Sequence, residues 1–240
     1  MQNLTRSGAR IREMFASIAP RYDFLNRLLS LGIDKRWRRA AVERIACRDG
    51  GTVLDIATGT GDMVLETAAR TNGSVRIVGT DFCNEMVDVA QSKISASVYG
   101  SRISLAIASC EALPFHDASF DAATIAFGIR NIVDREMGLR EICRILKPGG
   151  RLVVLEFSTP RAAWFRPIYH FYLRRLLPSV GGLFSNVGAY SYLPESVRVF
   201  PDREAFEKLM AAAGFAHTCH TDLSLGIVTV FQGEKPITSP

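Results

Sequence analysis

From residue 52 onward, short apolar runs alternate with stretches in which apolar positions recur every three or four residues. The runs TVLDIA (52–57), VRIVGTD (75–81), ISLAIA (103–108), FDAATIAF (120–127) and RLVVLEF (151–157) predict strands. Between them, residues 62–70, 84–96 and 136–146 predict helices, the last stopped by KPGG. Strands that are apolar on both alternating faces need cover on both sides. The pattern therefore predicts an α/β fold with a doubly wound, mostly parallel sheet. PDREAFEKLMAAAGF (201–215) reads as a helix with Pro at its start and Gly at its end. AHTCHTDL and GIVTVFQG follow as a closing strand pair and bring the count to seven. Residues 10–47 read as helical with a break near Gly32, and 161–198 interrupt the rhythm with a long aromatic, basic stretch. One domain over 1–240 is expected: a helical cap (1–48), a ligand-binding core (52–157), a helical insertion (158–200) and a closing helix and strand pair (201–235).

Composition narrows the class. The chain is 48% hydrophobic and 22% charged, with no apolar run near the ~18 residues of a membrane span. The opening MQNLTRSGAR lacks an apolar core, so no signal peptide is expected. Five scattered cysteines read as reduced thiols of a cytoplasmic protein, and no CxxC or HxxxH spacing supports a metal site. The net charge of +5 suggests anionic company. Much of it lies in DKRWRRA (34–40) and FRPIYHFYLRRLLP (165–178).

The candidate chemistry begins at VLDIATGTGDMVLE (53–66). Gly59 and Gly61 sit in the loop after the first strand, where ligands bind in parallel sheets. The spacing begins like the dinucleotide fingerprint, but its third glycine is Val64. Asp62 at the helix start would repel a phosphate and attract a cation. Asp81, closing the second strand, suits two ribose hydroxyls. A cationic nucleoside without phosphates, S-adenosylmethionine, fits better than NAD. Asp55 is expected to cap the loop. The third strand ends in ASCEALPF (108–115), where a polar group would meet the adenine edge and Leu113 and Phe115 would pack on its face or in the core.

Further motifs complete a resemblance. YDFLNRLLSLGIDKRW (22–37), EALPF (111–115), FGIRN (127–131), RILKPGGRLVVLEFS (144–158) and YSYLPESVRVFPD (190–202) resemble the ubiquinone/menaquinone biosynthesis C-methyltransferases over roughly residues 12–233. These are class I, Rossmann-like, S-adenosylmethionine-dependent enzymes. The resemblance implies cofactor contacts from Asp55, Thr58, Gly59, Thr60, Gly61, Asp62, Asp81, Phe82, Met86, Ser109, Cys110 and Ala126. The chain departs from the family at Leu25 (usually Met), Asp34 (usually His), Ser109 and Cys110 (usually Asn or Asp, then Ala) and Ala126 (often Ser).

The implied reaction is methylation of a ring carbon of a prenylated quinol, demethylmenaquinol or the benzoquinol precursor of ubiquinone. A ring carbon becomes a good nucleophile only when a neighbouring hydroxyl is ionised or polarised. The resemblance places Arg130, Asn131 and Tyr22 at the ring. A guanidinium has no free acceptor, so Arg130 is expected to stabilise a phenolate, the alternative being a surface salt bridge with Asp134 or Glu136. His116, His170, His217 and His220 are alternative bases, His170 first among them. The prenyl tail implies transient contact with the inner face of the cell membrane, through Trp37, Trp164, Phe165, Tyr169, Phe171 and Tyr172 among arginines. A homodimer remains open. Nucleic acid is not expected as a partner: no [DN]PP[FYW] motif is present and no cysteine follows a proline.

Overall fold

The computed structural model describes residues 2–172 and 187–237. Seven strands form one sheet in the order β3-β2-β1-β4-β5-β7-β6. They are β1 (Thr52–Ile56), β2 (Arg76–Asp81), β3 (Ile103–Ile107), β4 (Phe120–Ala126), β5 (Leu146–Phe157), β6 (Ala216–Leu223) and β7 (Val228–Glu234). β1 through β5 pair in parallel, and β7 runs antiparallel to both β5 and β6. The chain winds outward from β1 to β3, then returns to place β4 on the other flank of β1. That reversal opens a crevice beyond the strand ends between β1 and β4.

The core follows from the strand pattern. Leu54, Ile56, Ile125, Leu152 and Val154 face α6 (Arg135–Ile145) and α9 (Arg203–Ala212). Val53, Ile77 and Ala122 face α4 (Asp62–Arg70) and α5 (Asn84–Ser95). Trp37, Ala41 and Val42 of α3 (Asp34–Val42) cover Val153, Leu155, Val228 and Val230. The inner strands β1, β2, β4, β5 and β7 thus bury residues on both faces, as their apolar sequences required, whereas the edge strands β3 and β6 are only half-buried or exposed along their length.

The expected strands and helices of 52–157 lie within about a residue of their predicted bounds, apart from β5. That strand begins at Leu146, and Lys147–Gly150 form an irregularity in its pairing between Phe120↔Leu146 and Ala122↔Arg151. The N-terminal region holds α1 (Gln2–Ile18), α2 (Tyr22–Leu29) and α3, and the break at Gly32 carries φ +75°. α1 begins earlier than residue 10, where polar residues masked its periodicity. The insertion contributes α7 (Arg166–Phe171) and α8 (Val187–Val199). The basic residues expected at 173–178 lie outside the described residues.

An ionic network ties the cap to the core. Lys93 Nζ of α5 reaches Asp23 of α2 at 2.6 Å and Asp62 of α4 at 2.5 Å. Thr60 Oγ1 donates to Asp23 at 2.5 Å. Arg38 pairs with Asp34 at 2.5 Å and lies 3.9 Å from Asp62, which Arg27 approaches to 3.7 Å. Three cations therefore meet three carboxylates, all but Arg27 buried or half-buried, so their attraction is less screened than at a free surface. Lys93→Met would leave Asp23 and Asp62 without their shortest cationic contact. Protease cleavage within residues 1–45 is expected to accelerate several-fold, with about 1–3 kcal/mol lost in denaturant titration.

Candidate functional site

The site is built where β1 and β4 end. Ala57 (φ +53°) and Phe127 (φ +58°) both hold left-handed backbones that non-glycine residues rarely adopt. Such strain persists only where the surroundings over-determine it and is concentrated at functional sites. Here the two strand ends turn against each other. A Cβ on Gly128 would lie 2.6 Å from the Cβ of Ala57, so only glycine lets them meet.

Two cavities flank this contact. The first, about 190 Å³, is lined by Gly59, Asp81, Phe82, Met86, Ser109, Cys110, Glu111, Ala126, Gly128 and Asn131, and is roofed by Ile11 and Phe15 of α1. The second, about 350 Å³, is largely apolar and is walled by Leu25, Trp37, Phe157, Tyr169 and Tyr192, with Arg130 at one side. Phe15, Tyr22 and Phe127 border both.

The first cavity has a distinctive charge. Two carboxylates, Asp81 and Glu111, line it, and none of its lining residues is Lys, Arg or His. A pyrophosphate would meet only repulsion there, whereas a cationic nucleoside would be favoured. Asp81 is buried, and burial raises its pKa against the hydrogen bonds it accepts. Its Oδ2 accepts from Gly59 N at 2.8 Å and its Oδ1 from Cys83 N at 2.9 Å. A carboxylate has about four acceptor positions, so these two bonds do not exhaust its capacity to accept from a ribose hydroxyl. A Cβ at Gly59 would meet nothing within 4 Å. Its bare backbone thus faces open space, the cradle that a close-lying ligand needs.

Other expected contacts sit elsewhere. Asp62 does not line the cavity: Arg38, Lys93 and Arg27 surround it and, against the effect of burial, hold its pKa low. Its charge is already satisfied, so it anchors the cap in place of meeting a ligand cation. Gly61 (φ +85°) is required for packing, because a Cβ there would come within 3.1 Å of Ala90 Cβ. Thr60 is bonded to Asp23. Thr58 fills the space that glycine leaves at position 79, where a Cβ would lie 3.1 Å from its Oγ1. Asp55 lies behind the loop, between Gly79 and Thr124 of the neighbouring strands. Thr124 Oγ1 donates to Asp55 Oδ1 at 2.6 Å, while Oδ2 is buried without a hydrogen-bond partner among the described residues. Burial raises its pKa to about 6, with Thr124 and Thr58 opposing. Leu113 and Phe115 pack in the core, Phe115 edge-on to Phe120.

At the second cavity Arg130 is buried and ion-paired, but not with Asp134 or Glu136. Its Nη1 donates to Glu156 Oε1 at 2.7 Å and to the Phe127 carbonyl at 2.5 Å, and its backbone N–H to Glu156 Oε2 at 3.2 Å. Arg130 Nε is buried without a hydrogen-bond partner among the described residues. Asn131 Nδ2 approaches the Phe127 carbonyl at 3.5 Å, and Tyr192 Oη donates to Asn131 Oδ1 at 3.0 Å. Glu156, Tyr192 and Glu111 were not singled out from the sequence. An acid inside the apolar run RLVVLEF was the one usable signal, for Glu156. Of the histidines, His116 is exposed and His220 pairs with Glu207 at 2.6 Å. Neither these two nor His217 lines either cavity. The side chain of His170 lies outside the described residues.

The model of the ubiE/COQ5 methyltransferase family matches residues 3–235. The ubiquinone/menaquinone biosynthesis C-methyltransferase UbiE of Geobacter sulfurreducens is 59% identical, over 98% of this chain and 92% of its own. The demethylmenaquinone methyltransferase of Deinococcus radiodurans is 47% identical, over 95% and 93%. A solved SAM-dependent methyltransferase from Aquifex aeolicus superposes with TM-score 0.61 at 16% identity, over 82% of this chain and 89% of that one, a likeness of fold.

Two glycines separate binding from stability. Gly61→Ala should lower the unfolding free energy by about 1–3 kcal/mol through its clash and strained φ. Gly59→Ala should lose less stability yet weaken S-adenosylhomocysteine at least ten-fold by calorimetry. Asp55 gives a pH signature. The folded protein holds this proton more tightly than the unfolded chain, so its contribution is full below about pH 4 and disappears as pH rises through 6. Asp55→Asn should therefore be about 2 kcal/mol more stable than the parent at pH 8, the gap closing by pH 4, in denaturant titrations.

Proposed function

The chain belongs to the ubiE/COQ5 methyltransferase family, and from that premise we propose that it transfers a methyl group from S-adenosylmethionine to a ring carbon of a prenylated quinol. Demethylmenaquinol is the substrate we favour, because menaquinone is common to the names of both groups of relatives, whereas ubiquinone occurs in only one of them. The observation that carries the reading is the junction of the two cavities. An acidic, phosphate-rejecting cavity meets a large apolar one across Phe15, Tyr22 and Phe127. A charged nucleoside and an apolar ring can thereby be brought edge to edge.

When bound, S-adenosylmethionine supplies an electrophilic methyl group on a positively charged sulfur. Asp81 and Gly59 would hold its ribose side, and Phe82, Met86, Ser109 and Cys110 the base. Orientation and exclusion of water fall to the cap. Ile11 and Phe15 close the nucleoside side, while Leu25, Trp37 and Tyr169 wall the ring side. Arg130 is balanced by Glu156, so its net field on the quinol is small. What it offers is a directed donor, the open Nε–H, to a quinol oxygen whose charge grows as the ring carbon reacts. Glu156 fixes that guanidinium in place.

The tail of the substrate gives the second cavity a reason to open toward lipid. Leu31 (83% exposed), Ile33 and Ile168 line it and are themselves exposed. Trp164 and Phe171 are exposed nearby in sequence, and Lys35, Arg36 and Arg166 add exposed positive charge. Apolar side chains among basic ones favour the surface of an anionic bilayer. No described helix is long and apolar enough to cross a membrane.

Incubation with methyl-labelled S-adenosylmethionine and short-chain quinols of both classes, under reducing conditions, should label the quinol ring carbon. No labelled quinol from either class would reject the proposal. Arg130→Lys should lower kcat about 10²-fold, with partial recovery at higher pH, where the quinol ionises unaided. Trp164→Glu should halve or further reduce sedimentation with anionic vesicles while leaving turnover of a water-soluble short-chain quinol unchanged, since Trp164 is exposed and lines neither cavity.

A further inference from the structure

Tyr192 stands on the wall of the apolar cavity, carried there by α8. Its hydroxyl donates to Asn131 Oδ1 at 3.0 Å. The direction of that bond is set by its neighbours. The Phe127 carbonyl takes Asn131 Nδ2, which leaves Oδ1 as the end that Tyr192 meets. An amide oxygen only accepts, so the single Tyr192 proton is committed to it. What the phenol has left are acceptor lone pairs, on a side chain that borders the cavity.

The surroundings keep that oxygen an acceptor with its proton in place. Burial raises the pKa of Tyr192, and Arg130 and Arg135 only partly oppose it. Opposite in character is Arg130 on the same cavity, with a buried donor, Nε, that has no hydrogen-bond partner among the described residues. The cavity is mainly apolar, and other polar side chains on it are engaged among themselves, Arg38 with Asp34 and Ser30 with Asp34. The acceptor of Tyr192 and the donor of Arg130 together match a hydroxyl, which gives one hydrogen bond and takes others.

We propose that Tyr192 is a substrate-contacting residue: its hydroxyl, held by Asn131, accepts a hydrogen bond from the quinol hydroxyl beside the carbon that is methylated. The inference deepens the quinol reading above and rests on it. A quinol O–H can donate to Tyr192, whereas the carbonyl of the oxidised quinone has no proton to give. The site would thus sense the redox state of its ligand and favour the reactive form.

The test compares the parent protein with Tyr192→Phe, using a short-chain 2-prenyl-1,4-naphthoquinone in oxidised and dithionite-reduced forms. Equilibrium binding is measured with S-adenosylhomocysteine present. The ratio of quinol to quinone affinity is expected to fall about five-fold in the variant, and kcat about ten-fold, while S-adenosylhomocysteine binds within two-fold of the parent. A ratio that is unchanged overturns the proposal, as does an equal weakening of both forms, which would mark Tyr192 as packing alone. Parent protein that binds neither form would sink the quinol reading itself, a result the variant comparison cannot mimic.

Discussion

The contact between Ala57 and Gly128 joins the ends of β1 and β4, and the rest of the site is arranged around it. Parallel strands that part at this point leave a crevice, and its depth depends on how closely the two strand ends approach. Glycine at 128 permits the approach, and left-handed backbones at Ala57 and Phe127 turn the chain away on either side. One consequence is that the Phe127 carbonyl points to Arg130 and Asn131 and accepts from both. Another is that the Phe127 ring stands between the two cavities. The strained turn thereby separates the acidic cavity from the apolar one and also holds Arg130 and Asn131 beside them.

Charge is distributed by the same economy. Cations are kept off the wall of the nucleoside cavity, where two carboxylates remain, so a positive ligand finds no competitor. In the apolar cavity the buried guanidinium is matched by Glu156. A buried charge without a partner is strongly destabilising, whereas a matched pair with further hydrogen bonds is tolerated. The pairing leaves Arg130 with direction more than net charge, which suits a donor aimed at one oxygen.

The N-terminal helices serve both cavities at once. α1 roofs the acidic cavity, α2 and α3 wall the apolar one, and Tyr22 borders both. The cap is attached by apolar packing, α3 on β5 and β7 and Ile18 and Ala19 against Cys83 and Met86, and the ionic cluster around Asp62 adds a second tie. A residue expected to greet the ligand instead fastens the lid, because Arg38 and Lys93 approach it from helices distant in sequence.

The alternation of apolar runs and helical periods was enough to establish the sheet class, because a strand buried on both faces leaves a signature in its own residues. That Gly59 and Asp81 would border a cavity beyond the strand ends was legible for a similar reason: loop and strand end are local in sequence. The partners of Asp62, the pairing of Arg130 with Glu156 and the bond from Tyr192 to Asn131 were not legible. Each joins segments 24 to 61 residues apart, and nothing in one segment specifies which side chain will arrive beside it. The sequence by itself determined the fold and the nature of the ligand loop. Only the tertiary structure decided which charges face the ligand and which face one another, since a charge acts through distance, and distance is created by folding.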